Sequence, residues 1–266
     1  MSLSNNKIKY IRSLKEKKFR DEHRTFIAEG TKLVFDLLET CRCQLIAALP
    51  EVLSAHPGVS AEEIVEASES ELKKATLLAT APQVIAVFYQ PENIVEQIQP
   101  EGKLFLVLDG VQDPGNVGTI VRIADWFGID HIVCSPDTAD LFNPKTVQAT
   151  MGAIARVGVS YTDIGIFLRK HNHLPVYGTF LDGENIYSDT LSEQGIIVMG
   201  SEGKGIRPDI AAAINRRLFI PNFPLNRTTS ESLNVAAATA IVCAEFRRRT
   251  FYKAQKNHVL REYVIT

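Results

Sequence analysis

Lys103-Leu104-Phe105-Leu106-Val107-Leu108-Asp109-Gly110-Val111-Gln112-Asp113-Pro114-Gly115-Asn116-Val117-Gly118 is the stretch on which the fold turns. Leu104 to Leu108 are apolar at every position. A strand that faces water on one side alternates apolar and polar residues, and one covered on both faces does not. The run therefore predicts a strand buried inside a layered domain. Gly110, Pro114 and Gly115 then interrupt regular structure, and Val117 to Phe127 resumes at helical spacing. Strand, polar loop and helix form the repeating unit of an α/β domain.

The same alternation continues downstream. His131 to Cys134 reads as a strand, Lys145 to Thr150 as a helix, Val157 to Ser160 as a strand and Ile164 to Lys170 as a helix. Val176 to Phe180 and Gly195 to Met199 read as strands, Pro208 to Asn215 as a helix, and Arg217 to Ile220 as a strand. Leu233 to Arg249 is a long Ala-rich helix. The pattern predicts a parallel sheet with helices on both faces. Upstream, Asn5 to Phe88 reads as a smaller α/β unit. Ile8, Ile11 and Leu14 recur at helical spacing, as do Leu33, Val34, Leu37 and Leu38. Gln44 to Leu49 and Val84 to Phe88 read as strands, and Glu69 to Ala75 as a helix. Gln90 to Gly102 has linker composition. We therefore divide the chain into residues 1–98 and 99–266.

Composition sets limits. With 266 residues, 45% hydrophobic and 23% charged, the chain is of ordinary globular type. No apolar run approaches membrane-spanning length. Met1 to Tyr10 lacks the apolar core of a signal peptide, so a cytoplasmic protein without membrane association is expected. Cys41, Cys43, Cys134 and Cys243 lack zinc-site spacing and are expected to be reduced thiols. The net charge of −2 argues against a general nucleic-acid coat protein but leaves room for local patches. One basic run comprises Lys7, Lys9, Arg12, Lys15, Lys17, Lys18, Arg20 and Arg24. A second comprises Arg247, Arg248, Arg249, Lys253 and Lys256. Each can be a solvated helix face or part of a phosphate-binding surface.

In an open parallel sheet, ligands bind beyond the carboxyl ends of the strands. Three segments leave strands at that edge. The first is Asp109 to Gly118, where Asn116 stands at the expected helix N-cap and Arg122 follows less than two turns later. Asp109 and Asp113 read as turn residues rather than metal ligands. The second is Gly200-Ser201-Glu202-Gly203-Lys204-Gly205, which lacks the spacing of a phosphate loop. The third runs from Ile220-Pro221 through the polar stretch Asn226 to Glu231 into Ser232-Leu233-Asn234-Val235, with Ser232 as the expected N-cap.

Taken together, the three segments resemble the signature motifs of the SpoU (TrmH) branch of the SPOUT methyltransferases, over about Leu104 to Arg248. Asn116, Gly118 and Arg122 match the first motif, N-x-G-x-x-x-R. Gly200-Ser201-Glu202-Gly203 with Gly205 matches the second. Ile220-Pro221 and Ser232-Leu233-Asn234-Val235 match the third. Phe26 to Gly30 with Lys32 matches the F-x-x-E-G-x-K opening of the ribosomal-protein-like substrate-binding domain often fused to this branch. The sequence departs from the pattern in its longer Ile220 to Ser232 stretch, and in Thr150 where a Ser commonly precedes Met-Gly-Ala.

The resemblance implies an α/β SPOUT domain with a deep C-terminal trefoil knot, preceded by a small α/β substrate-binding domain. It implies a homodimer that methylates a ribose 2′-hydroxyl in RNA, ribosomal RNA above transfer RNA. S-adenosylmethionine would be the cofactor, S-adenosylhomocysteine the product, and no metal would be needed. By the same resemblance Arg122 is the main catalytic residue, and Asn116, Glu202, Ser232 and Asn234 orient the substrate or Arg122. Gly200, Ile220 and Leu233 would hold the cofactor, joined by Thr179 at a neighbouring strand end. Two alternatives stand beside this reading. One is a transfer-RNA ribose methyltransferase, which the extra N-terminal domain disfavours. The other is a non-catalytic RNA-binding ribosome-assembly factor, against which the joint presence of Asn116, Arg122, Glu202, Ser232 and Asn234 argues. A nucleotide-binding dehydrogenase would need GxGxxG after the first strand, which Asp109 to Gly118 does not provide.

Overall fold

The computed structural model describes residues 2–91, 98–188, 190–224 and 232–262, with residues 250–262 described by backbone alone. The chain forms two compact units. The first comprises residues 1–93, 113–122 and 139–158, and the second residues 94–112, 123–138 and 159–266.

The first unit is built on a four-stranded sheet. Strands β1 (Thr25–Glu29), β2 (Cys43–Ala48), β3 (Glu63–Glu66) and β4 (Val84–Tyr89) lie in the order β1-β4-β2-β3. β4 is antiparallel to both β1 and β2, whereas β3 runs parallel to β2. Every residue of β1 is buried, so Phe26, Ile27 and Ala28 contribute to packing on both faces. Helices α1 (Asn5–Ser13), α3 (Thr31–Leu38) and α5 (Glu69–Ala75) follow the expected apolar stripes. α5 opens with a reciprocal capping box between Ser68 and Glu71, which satisfies two end N–H groups. α2 (Lys17–His23), α4 (Pro50–Ala55) and β3 were not legible as elements, being short and polar or weakly periodic.

Helix α7 (Pro144–Thr150) belongs to this unit and packs on β1. Phe142 reaches the ring of Phe26, with centroids 5.0 Å apart. Arg20 is 2% exposed and is fully engaged. Its Nη2 donates to Asp140 Oδ2 at 2.6 Å, and its Nη1 donates to the carbonyls of Leu14 at 2.8 Å and Lys15 at 2.7 Å. This corrects its assignment to a surface basic run. It is a structural ion pair, and Lys7 is likewise paired with Glu63.

The second unit holds a six-stranded sheet ordered β10-β8-β9-β5-β6-β7. Its strands are β5 (Leu104–Asp109), β6 (His131–Cys134), β7 (Gly158–Tyr161), β8 (Val176–Asn185), β9 (Gly195–Gly200) and β10 (Arg216–Phe219). The pairs β10–β8, β8–β9, β9–β5 and β5–β6 are all parallel, as the unbroken apolar runs require. β5 is buried along its whole length. Helices α8 (Ile164–Lys170), α9 (Pro208–Ala211) and α10 (Val235–Glu262) belong to this unit, and α6 (Pro114–Trp126) begins in the first unit and ends in this one. A core of Phe105, Val107, Val133, Phe167, Leu168, Val176, Ile196 and Val198 lies between sheet and helices. Cys43, Cys134 and Cys243 are buried free thiols and Cys41 is a half-buried one.

β8 departs from the expected strand in an informative way. It extends beyond Phe180 to Asn185, but its pairing with β10 jumps from Gly178 opposite Arg217 to Glu184 opposite Leu218. Thr179 to Gly183 therefore bow out of the ladder as an extended bulge.

Breaking the Arg20–Asp140 pair leaves a nearly buried carboxylate and two carbonyls without their donor. Arg20→Ala is expected to cost about 3 kcal/mol of stability, read as a fall in the urea midpoint. The double variant Arg20→Met/Asp140→Leu should recover much of that loss.

Candidate functional site at the carboxyl edge of the parallel sheet

The parallel register places strand ends side by side in the second unit. Asp109 at the end of β5 is level with Gly200 at the end of β9. The β8–β9 pairing stops at Gly178 opposite Val198, so Thr179 is the first residue past it. Ile220 follows the last residue of β10. Thr179, Gly200 and Ile220 thus lie along one edge, the one expected to bind ligands.

The loop after β9 doubles back tightly. Ser201 and Gly205 exchange backbone hydrogen bonds of 3.1 and 2.9 Å. A Cβ on Gly200 would lie 2.2 Å from the Gly205 carbonyl carbon, so only glycine permits the fold-back. Asp109 anchors the loop's far end. Its buried carboxylate accepts from Arg207 Nε and from the Arg207 backbone N–H, both at 2.7 Å. Asp109 is therefore an ion-pair partner rather than a simple turn residue. No spacing rule links positions so far apart in sequence, so this pair was not legible beforehand.

Two expected site residues meet directly. Asn234 Nδ2 donates to Glu202 Oε1 at 2.6 Å, and the Val235 N–H reaches the same oxygen at 3.4 Å. Asn234 Oδ1 accepts from the backbone N–H groups of Ala236 and Ala237 at 3.0 and 3.2 Å. Asn234 is thus the N-cap of α10, which corrects the expectation for Ser232. A carboxylate at a helix N-terminus is also favoured by the dipole. Ser232 and Leu233 are exposed just ahead of this cap. The polar stretch Asn226 to Glu231 lies outside the described residues.

Asn116 and Arg122 belong to the first unit, on α6. The N-cap of α6 is Asp113, whose Oδ1 accepts from the Asn116 N–H at 2.9 Å. Asn116 therefore sits in the first turn rather than at the cap. Lys145 Nζ donates to Asp113 Oδ2 at 2.8 Å and holds that carboxyl below its usual range, aided by the backbone N–H of Asn116. Gly118 serves packing rather than ligand approach. A Cβ there would lie 2.4 Å from the Thr146 carbonyl oxygen and 2.6 Å from Ala149 Cβ, so glycine lets α6 and α7 touch. Arg122 is exposed and makes no hydrogen bond or ion pair among the described residues.

The first unit also contains a cleft of about 1380 Å³. Arg12, Lys15 and Lys73 line it beside Glu16, Glu51 and Glu69, together with Leu77 to Gln83, and it extends to Gly115, Lys145 and Gln148. Buried Glu29, from the F-x-x-E-G segment, shapes its wall. Its Oε1 accepts from Thr76 Oγ1 at 2.5 Å and from the Leu77 N–H at 3.1 Å. Burial raises its carboxyl pKa. The second basic run has a different fate. Arg247 donates to the carbonyls of Phe127 and Gly128, and Arg248 and Arg249 both pair with Glu245. These arginines brace the helix. The side chains of Lys253 and Lys256 lie outside the described residues.

The model of the SpoU rRNA methylase family matches residues 103–244, over half of the chain. That of the MRM3-like substrate binding domain matches residues 5–86. A 23S rRNA (guanosine(2553)-2′-O)-methyltransferase of Bacillus subtilis is 31% identical over 92% of this chain and 98% of its own length. A TrmH-family protein from Porphyromonas gingivalis superposes with a TM-score of 0.83 at 45% identity, covering 93% of this chain and 99% of that one. The AdoMet-bound rRNA methyltransferase from Sinorhizobium meliloti gives 0.83 at 31% identity, covering 94% and 97%. On these matches the chain belongs to the SpoU rRNA methylase family, with an MRM3-like substrate-binding domain ahead of the methylase domain.

Proposed function

We propose that this chain methylates a ribose 2′-hydroxyl of ribosomal RNA, using S-adenosylmethionine. The observation that carries the reading is the Glu202–Asn234 hydrogen bond. It joins the loop after β9 to the start of α10 at the sheet edge where Thr179, Gly200 and Ile220 also lie. The edge suits a molecule with an apolar ring and a polar tail. Leu233, just ahead of α10, exposes about half of its surface, 49%. In this reading Gly200, Ile220, Leu233 and Thr179 hold the cofactor. Bound there, it supplies an electrophilic methyl group, leaving as S-adenosylhomocysteine.

The protein's own residues do the rest. A ribose hydroxyl is a weak nucleophile, so it must be aimed in line with the methyl carbon and lose its proton as the C–O bond forms. Arg122 offers an exposed guanidinium fork suited to the phosphate beside the target ribose. Orienting and charge neutralisation are the natural part for a guanidinium in the reaction. Asn116, Glu202, Ser232 and Asn234 position ribose, phosphate or Arg122. Several relatives, including those of Bacillus subtilis and Neisseria meningitidis, are named as 23S rRNA ribose methyltransferases, which favours ribosomal over transfer RNA here. The cleft lined by Arg12, Lys15 and Lys73 is suited to the RNA backbone.

The same reading includes the family's trefoil knot at the C-terminal end, a homodimer, and a reaction that needs no metal. It assigns residues 1–98 to RNA recognition and 99–266 to methyl transfer, in the cytoplasm. No helix among the described residues is long and apolar enough to cross a membrane.

Arg122→Ala should leave cofactor affinity within about twofold and lower the single-turnover transfer rate by about 10²-fold or more. Near-normal transfer would remove Arg122 from the reaction. Lys15→Glu/Lys73→Glu should weaken RNA binding and flatten its dependence on salt, with cofactor titration unchanged. Equal RNA affinity in the variant would exclude the cleft. Ribose-methylation mapping after gene deletion should show one mark missing from large-subunit ribosomal RNA. A mark missing only from transfer RNA would redirect the substrate assignment, and no missing mark would favour the non-catalytic assembly factor.

A further inference from the structure

The opposite edge of the parallel sheet carries a group of ligands that methyl transfer does not use. Glu101 stands just ahead of β5, and His171 and His173 occupy the turn between α8 and β8. All three belong to the second unit. They therefore lie at the amino ends of the strands, away from Gly200 and Thr179 at the carboxyl ends. One donor atom from each lies within 4.8 Å of the other two.

The geometry around His171 points to a missing partner. Its side chain is only 7% exposed, and its Nδ1 is buried without a hydrogen-bond partner. Buried polar atoms left unpartnered are rare in folded proteins, and an ion is one of the partners that satisfies them. Glu101 Oε1 is 3.9 Å from that nitrogen, too far for a hydrogen bond, and 3.1 Å from His173 Nε2. The edge of a tetrahedron around a metal with bonds of about 2.0–2.1 Å is about 3.3 Å, and the two observed separations bracket it. The turn is braced for the purpose. The His171 ring packs on Phe167 with centroids 4.7 Å apart, and the Leu174 N–H donates to the His171 carbonyl at 3.0 Å.

We propose that Glu101, His171 and His173 form a Zn²⁺ site that clips the α8–β8 turn to the segment entering β5. Two imidazoles and one carboxylate suit Zn²⁺, with water completing four-coordination. Hard cations such as Mg²⁺ prefer all-oxygen ligands and are not expected to bind here. Because the site lies at the far edge from the transfer chemistry, it is structural.

The test is calorimetric titration of the full chain, free of any polyhistidine tag, with ZnCl₂ and separately with MgCl₂. The expected result is one Zn²⁺ per chain with micromolar affinity, a raised thermal midpoint with Zn²⁺, and no Mg²⁺ response. Exposed His173 and Glu101 can be changed without disturbing the core, so His173→Ala and Glu101→Gln should fold normally. Each should weaken Zn²⁺ binding at least about tenfold, the scale on which even outer-shell partners of a metal matter. His171→Phe, which fills the buried position with carbon, should abolish the thermal response to Zn²⁺. Absence of saturable Zn²⁺ binding, or binding unchanged in His173→Ala, would overturn the site.

Discussion

The carboxylate of Asp109 sits at the end of a fully buried strand, where an unpartnered charge would be very unfavourable. Arg207 meets it with both a side-chain and a backbone N–H, and that pairing fixes where the loop after β9 must return. Between its ends the loop has little freedom. Gly200 admits the fold-back, Ser201 and Gly205 close it, and Glu202 is left at the turn's outer side. Glu202 is then placed to receive the N-terminus of α10 through Asn234. Thus a buried ion pair sets a loop, the loop sets a carboxylate, and the carboxylate sets a helix end. The edge proposed to hold the cofactor consists of what those steps leave exposed.

The charged residues divide in a way that counting alone does not show. Of the first basic run, Arg20 is consumed by a buried ion pair, Lys7 by Glu63 and Arg12 by the carbonyls of Lys74 and Thr76, whereas Lys15, with Lys73 from α5, borders open space. Of the second, Arg247 to Arg249 are committed to carbonyls and to Glu245, whose pKa Arg248 and then Arg249 lower. Arg122 is exposed and uncommitted among the described residues. A guanidinium that spends no donors on its own protein is available for a phosphate. That contrast, more than the density of basic residues, separates candidate RNA contacts from bracing.

Elements with strong local signals were legible in the sequence. The helices Glu69–Ala75 and Ile164–Lys170 and the strand His131–Cys134 have the bounds their patterns indicate. Cap positions were less so. Asp113 and Asn234, rather than Asn116 and Ser232, terminate their helices, because several polar residues stand in a row and only backbone geometry selects among them. α4 is too short to establish a period, and α2, with Phe19 as its one apolar residue, has no apolar stripe to show one. The extended β8 and its bulge depend on β10, a partner far away in sequence. At the site, residue identities were readable from the three motifs. What each does locally was not, since Gly118 permits helix packing while Gly200 permits a loop to close.

The compact units also change how the division of labour is understood. Residues 113–122 and 139–158 lie in the sequence of the methylase match, yet their contacts place them with the N-terminal residues. The ties are specific: Arg20 with Asp140, Phe26 with Phe142, and α7 against β1. Removing residues 1–98 would therefore strip the partly buried Asp140 of its cation and expose apolar surface, which is costly. The N-terminal part cannot be treated as a detachable reader. The helix that carries Asn116 and Arg122 begins inside the same unit as the cleft. The cleft proposed for the RNA backbone and the residues of the first motif thus share one packed body.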